Sequence, residues 1–132
     1  MKIVAVVQAR LGSTRLPNKV LAPIGNVPLI EFLLRRLSKS KQVSQIVLAT
    51  STRQVNDQLA LVVENLGYQV VRGSENDVLQ RYVDAARATD ADVVIRITGD
   101  CPFVDPRLID EMLEDFVSSN IDYMSNTDPP TF

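Results

Sequence analysis

The segment Gln8–Lys19, QARLGSTRLPNK, gathers the parts from which an anion site is made. Arg10, Arg15 and Lys19 fall within ten residues, and no acidic residue appears before Glu31. Gly12 lets backbone N–H groups approach an anion closely. Ser13 and Thr14 add hydroxyl donors. Arg10 grips phosphate oxygens with a planar fork, and Lys19 offers a mobile point charge. Pro17 holds Leu16 extended, so the segment does not wind into a helix. This supply of donors and cations suits a polyphosphate better than a single phosphate. It also describes a solvated basic surface loop. Neither the G-x-x-x-x-G-K-[ST] pattern nor G-x-G-x-x-G is present.

Two further segments carry chemistry. In TGDCP, Thr98–Pro102, Asp100 follows a glycine at the end of an apolar run. A carboxylate there suits Mg²⁺, which takes one or two carboxylates plus phosphate oxygens. It equally suits an aspartate that stabilises its own turn. In RGSENDVLQRY, Arg72–Tyr82, the residues Ser74, Asn76 and Asp77 are helix-capping types. The functional reading places them with Arg72 around a nucleoside. Thr50 and Ser51 carry the same two readings, as caps of the next helix or as lining of a ligand crevice. Cys101 has no histidine base to activate it and packs as a small hydrophobe.

The elements that hold these segments alternate along the chain. Short β-branched runs predict strands at Ile3–Val7, Gln45–Thr50, Tyr68–Arg72 and Asp92–Thr98, with a weaker one at Ile121–Ser125. Their continuous apolar character suits strands covered on both faces. Ile30, Leu33, Leu34 and Leu37 predict a first helix, with Pro28 at its N1 position. Val55, Leu59, Val62, Val63 and Leu66 predict a second, stopped by Gly67. Val78, Leu79, Tyr82, Val83 and Ala86 predict a third. Asp105 as N-cap and Pro106 at N1 open a fourth, over Leu108, Ile109, Met112, Leu113 and Phe116. The expected fold is α/β, a three-layer α/β/α arrangement around a mostly parallel sheet. Ligands in such sheets bind beyond the carboxyl ends of the strands. That rule nominates the loop after the first strand, the turn after Arg72, and TGDCP.

Composition narrows the chemistry further. The chain of 132 residues contains no histidine and one cysteine. Ser-His-Asp and Cys-His nucleophiles are excluded, as are zinc sites built on histidine or several thiolates. Any metal is a hard cation held by oxygens. The lone Cys101 makes no internal disulfide, which agrees with the reducing cytoplasm. A net charge of −2 gives no case for bulk binding to nucleic acid or anionic membrane. No apolar run reaches the roughly 18–20 residues of a membrane span. Residues 1–132 are expected to form one nucleotide-binding domain. The chain stops at SNTDPPTF after a weak strand, so this unit is expected to be the N-terminal part of a longer one.

Taken together, QARLGSTRLPNK, RGSENDVLQRY and ITGDCPFVDP resemble three segments of the acylneuraminate and keto-deoxyoctulosonate cytidylyltransferases, in order and spacing. The similarity is greatest to the spore-coat-polysaccharide branch. The resemblance implies a nucleotide-diphospho-sugar transferase (Rossmann-like) fold. It implies that CTP and a sugar acid or related sugar give a CMP-sugar and pyrophosphate, with Mg²⁺. It places Arg10, Ser13, Arg15 and Lys19 on the triphosphate, with Arg10 and Lys19 as the catalytic cations. It puts the loop backbone at Ala9, Leu11 and Gly12, with Arg72, Ser74, Asn76 and Asp77, around the nucleotide. Asp100 would bind the metal. Thr98 and Cys101 depart from the keto-deoxyoctulosonate pattern, which leaves the identity of the sugar open. The family's later carboxylates and dimer-forming region lie beyond Phe132. A homodimer is compatible with this, and weak or absent turnover is expected of these residues alone. The other readings are transfer of another nucleotide, transfer to a polyol phosphate, and a non-catalytic nucleotide-binding module.

Overall fold

The computed structural model describes residues 1–11, 19–99 and 104–119. Four strands form its main sheet: β1 (Ile3–Gln8), β4 (Gln45–Ser51), β5 (Gln69–Gly73) and β6 (Val93–Thr98). Their order is β5-β4-β1-β6, and every neighbouring pair is parallel. The helices are α1 (Leu29–Leu37), α2 (Asp57–Asn65), α3 (Val78–Thr89) and α4 (Pro106–Ser119). A short hairpin, β2 (Pro23–Ile24) with β3 (Val27–Pro28), precedes α1.

The strand alternation separates two cores. Ile3, Ala5, Val7, Ile46 and Leu48 pack with α1, α2 and α4. Val4, Val6, Val47 and Ala49 face the other way, against Tyr82 and Ala85 of α3. This three-layer arrangement follows from the direction of the crossovers. The chain moves from β1 to β4 to β5 in one direction, then returns past both to place β6 beside β1. Right-handed connections put α1 and α2 on one face and the returning α3 on the other. The reversal makes a topological switch point between β1 and β6, where open α/β sheets leave a crevice.

Local signals explain most boundaries. Gly67 lies at φ +94°, a backbone conformation suited to glycine, and ends α2. The Asp105 carboxylate accepts from Arg107 N–H at 2.9 Å as α4 begins. Four expectations need correction. Pro28 is extended and precedes α1 as its N-cap, because it still pairs with Pro23 in the hairpin. Val55 lies in a 3-10 turn, Gln54–Asn56, and is exposed. Thr50 and Ser51 do not cap α2, because they remain in β4 and that turn intervenes. The buried face of α3 is Arg81, Tyr82, Ala85 and Thr89, while Val78 and Leu79 are exposed. The stripe is rotated because Arg81 turns inward to satisfy loop carbonyls.

The weak strand expected at Ile121–Ser125 lies outside the described residues. No helix among the described residues is long and apolar enough to cross a membrane.

Candidate functional site

The carboxyl ends of β1 and β6 approach each other closely. Gly99 N–H donates to Gln8 O at 2.7 Å. A Cβ at Gly99 would stand 2.5 Å from Ala9 Cβ and 3.1 Å from Gln8 O. Glycine is therefore required by space here. Beyond Gln8 the backbone keeps an in-out alternation: Ala9 and Leu11 are buried in the α1/α2 core, and Arg10 between them is exposed. Two apolar anchors thus aim one arginine outward at the switch point.

Polar side chains from two neighbouring strand ends reach this arginine. The fully buried Asn56 accepts from Leu11 N–H at 2.7 Å and donates to Ser51 Oγ at 2.5 Å. Ser51 Oγ also accepts from Arg53 N–H at 3.3 Å. From the loop after β5, Glu75 Oε1 accepts from Arg10 Nη1 at 2.9 Å and lies 3.6 Å from Arg53 Nη1. The Ser51 hydroxyl is the largest influence holding the Glu75 carboxyl below its ordinary range. Burial opposes it, and the Arg10 hydrogen bond and the charges of Arg10 and Arg53 reinforce it. Glu75 Oε2 is buried without a hydrogen bond of regular geometry.

Two more arginines brace the same loops. Arg72 donates from Nε to Ser51 O at 3.0 Å and from Nη2 to Arg53 O at 2.9 Å, and its Nη1 meets Asp57 Oδ1 at 2.8 Å. Arg81 is 2% exposed, and its Nη1 donates to Ser74 O at 2.7 Å and Glu75 O at 3.0 Å. Arg10 and Arg53 share the single carboxylate of Glu75, while Arg72 pairs with Asp57, so the Arg10–Arg53–Glu75 cluster carries one uncompensated positive charge. An arrangement of this kind draws anions.

The sequence profile described as cytidylyltransferase matches residues 4–132. The chain belongs to the cytidylyltransferase family. It is 42% identical over 92% of its length to the spore coat polysaccharide biosynthesis protein SpsF of Bacillus subtilis (strain 168), and covers 52% of that protein. Among solved structures, a cytidylyltransferase from Leptospira borgpetersenii superposes with a TM-score of 0.85 at 40% identity, over 89% of this chain and 50% of that one. The structure of CMP:2-keto-3-deoxy-manno-octonic acid synthetase complexed with CTP superposes with a TM-score of 0.81 at 26% identity, over 91% of this chain and 49% of that one. The fold is thus that of the cytidylyltransferases, as the resemblance implied. The chain spans about half the length of the curated relatives it matches.

In this member of the cytidylyltransferase family, Ala9, Arg10 and Leu11 directly follow β1. Lys19 opens a 3-10 turn, Lys19–Leu21. Arg72 ends up with all three guanidinium nitrogens engaged by protein groups, so here it braces the loop after β4. Asp77 caps α3, accepting from Gln80 N–H at 3.0 Å, and Ser74 Oγ accepts from Asp77 N–H at 3.2 Å. Asn76 is exposed between them. Gly12, Ser13, Arg15, Asp100 and Cys101 lie outside the described residues, as does the side chain of Lys19.

Asn56, Arg53, Glu75 and Arg81 are site residues that the sequence reading did not select. Asn56 fell inside the helix predicted from Val55 onward, whereas the structure places it in the 3-10 turn that precedes α2. Glu75 is the acid nearest the capping residues in the loop after β5, and its partner lies 65 positions away.

Proposed function

We propose that this chain is the CTP-binding part of an enzyme that transfers CMP from CTP to a sugar acid or related sugar, releasing pyrophosphate, in surface polysaccharide or glycan biosynthesis. The observation that carries the proposal is Arg10. It projects from a doubly anchored backbone at the β1/β6 switch point, inside an acid-free segment. Family membership supports the nucleotide, and the names of the relatives support the sugar acceptor.

In the reaction, an acceptor hydroxyl oxygen forms a bond to the α-phosphorus. The bond from that phosphorus to the α–β bridging oxygen breaks, and pyrophosphate departs with its electrons. The hydroxyl proton passes to solvent. Such transfer depends on positioning and charge neutralisation, and needs no covalent protein nucleophile. Arg10 and Lys19, with Ser13, Arg15 and the backbone at Gly12, hold the triphosphate and offset charge growing on the leaving group. The backbone at Ala9 and Leu11, with Arg72, Ser74, Asn76 and Asp77, surrounds the cytidine. For Arg72 and Asp77 this role runs through the loops they brace and cap.

Mg²⁺ fits the donor chemistry. The chain offers oxygen ligands and no histidine, and Asp100 follows the glycine whose hydrogen packs against Ala9. Among the described residues no group of three potential ligands gathers. A cation completed by phosphate oxygens needs only one or two carboxylates. Asp100 would hold it, and when bound it would neutralise charge on the α-phosphate. Residues 1–132 would act as one nucleotide-binding domain of a longer cytoplasmic enzyme, for which a homodimer is compatible.

Thermal unfolding with each nucleoside triphosphate, with and without Mg²⁺, tests the proposal. A ligand that binds only the native state raises stability by RT ln(1 + [L]/Kd). CTP should raise Tm selectively, and Lys19→Ala should reduce that shift. Equal shifts with all triphosphates would indicate another nucleotidyl substrate. No shift with any of them would contradict nucleotide binding.

A further inference from the structure

Arg10 belongs to a closed ring. Leu11 N–H donates to Asn56, Asn56 donates to Ser51, and Ser51 accepts from the Arg53 backbone. The Arg53 guanidinium meets Glu75, and Glu75 accepts from Arg10. The Arg10–Leu11 peptide bond completes the circuit. Its members come from the last residue of β4 and from the segments after β1, β4 and β5. Arg10 is therefore held twice, through the backbone of the next residue and through its own guanidinium.

From this geometry we propose that Asn56, Ser51, Arg53 and Glu75 are a positioning unit that presents Arg10 to the triphosphate. The inference rests on the nucleotide-binding function proposed above. Glu75 Oε1 engages Nη1, and the Arg10 side chain remains 52% exposed. Among the described residues Glu75 is the only partner of this guanidinium, and its remaining nitrogens suit a phosphate, which a fork can grip bidentately. One carboxylate shared by Arg10 and Arg53 leaves a net positive charge at the rim. Glu75 fixes Arg10 without neutralising the pair. Holding a long side chain before the ligand arrives removes an ordering cost from binding. Asn56 and Ser51 carry this constraint into the core, because Asn56 is fully buried.

The test is calorimetric titration of CTP with Mg²⁺ into the chain and its Arg10→Ala, Glu75→Gln and double variants. Glu75→Gln keeps the shape and removes the charge. It should weaken CTP by about tenfold, the order expected for losing one ordered long side chain. In the Arg10→Ala background the same change should weaken CTP less than twofold, because no arginine remains to be positioned. A merely structural role for Glu75 would make the two effects multiply. Asn56→Asp, which retains the acceptor for Leu11 N–H, should bind CTP more tightly than Asn56→Ala. Thermal unfolding of each variant verifies folding. Unchanged or tighter binding by Glu75→Gln, or multiplying effects in the double variant, overturns the inference while leaving the function intact. Absence of CTP binding by the unsubstituted chain overturns both.

Discussion

Gly99→Ala is the substitution whose effect the geometry specifies most fully. The added Cβ would lie 2.5 Å from Ala9 Cβ, 3.1 Å from Gln8 O and 3.3 Å from Ala9 Cα. None of these atoms belongs to a long side chain that can swing away. The ends of β1 and β6 must separate, which strains the Gly99 N–H bond to Gln8 O. Overpacking of this kind costs about 1–3 kcal/mol, and weakening the hydrogen bond adds about 1 kcal/mol. Urea unfolding of Gly99→Ala should therefore show a loss of about 2–4 kcal/mol. The nearest clash is with one methyl group. Ala9→Gly in the same chain should return about half of the loss, leaving the contacts with Gln8 O and Ala9 Cα. A loss below about 0.5 kcal/mol, or no recovery in the double variant, would refute the close approach of the two strand ends.

Other perturbations probe the surrounding loops. Arg81→Met should lose about 1–3 kcal/mol in urea unfolding, because Ser74 O and Glu75 O lose their buried donor. Glu75 has its carboxyl below its ordinary value of 4.5 in the folded state, with the Ser51 hydroxyl as the main cause. Its stabilisation is present above that value and lost as pH falls through the lower folded value. Glu75→Gln should flatten the acid limb of a stability–pH profile below about pH 4.5. For Asp110, burial raises the pKa, but hydrogen bonds from Lys41 and Gln42 N–H and the Ser40 hydroxyl together outweigh it. Asp110→Asn should destabilise the junction of α1 and α4 at neutral pH and matter less below about pH 4, as measured by urea unfolding against pH.

What could be read from the sequence depended on how local the cause was. β1, β4 and β6 were legible because strands covered on both faces leave continuous apolar runs. Their spatial order was not, since it depends on the direction of each crossover. The two-residue strands of the hairpin, Pro23–Ile24 and Val27–Pro28, are too short to carry a period. The apolar stripe through Val78 and Leu79 does not mark the buried face of α3, because Arg81 is buried there and no local signal reveals the Ser74 and Glu75 carbonyls it satisfies. The candidate site divides along the same line. Arg10 was legible from the acid-free segment and its place after a strand. Asn56 and Glu75 were not, because their roles exist only once three loops are brought together.

The central claim is that a nucleotide binds at the β1/β6 switch point, and an amide-resolved NMR titration with CTP and Mg²⁺ tests it most directly. The account predicts that shifts concentrate at Ala9–Leu11, Lys19, Arg72–Asp77 and Gly99. Amides at the junction of α1 and α4, Lys39–Gln42 and Asp110, should stay in place. Shifts confined to that junction, or no shifts at millimolar CTP, would contradict it.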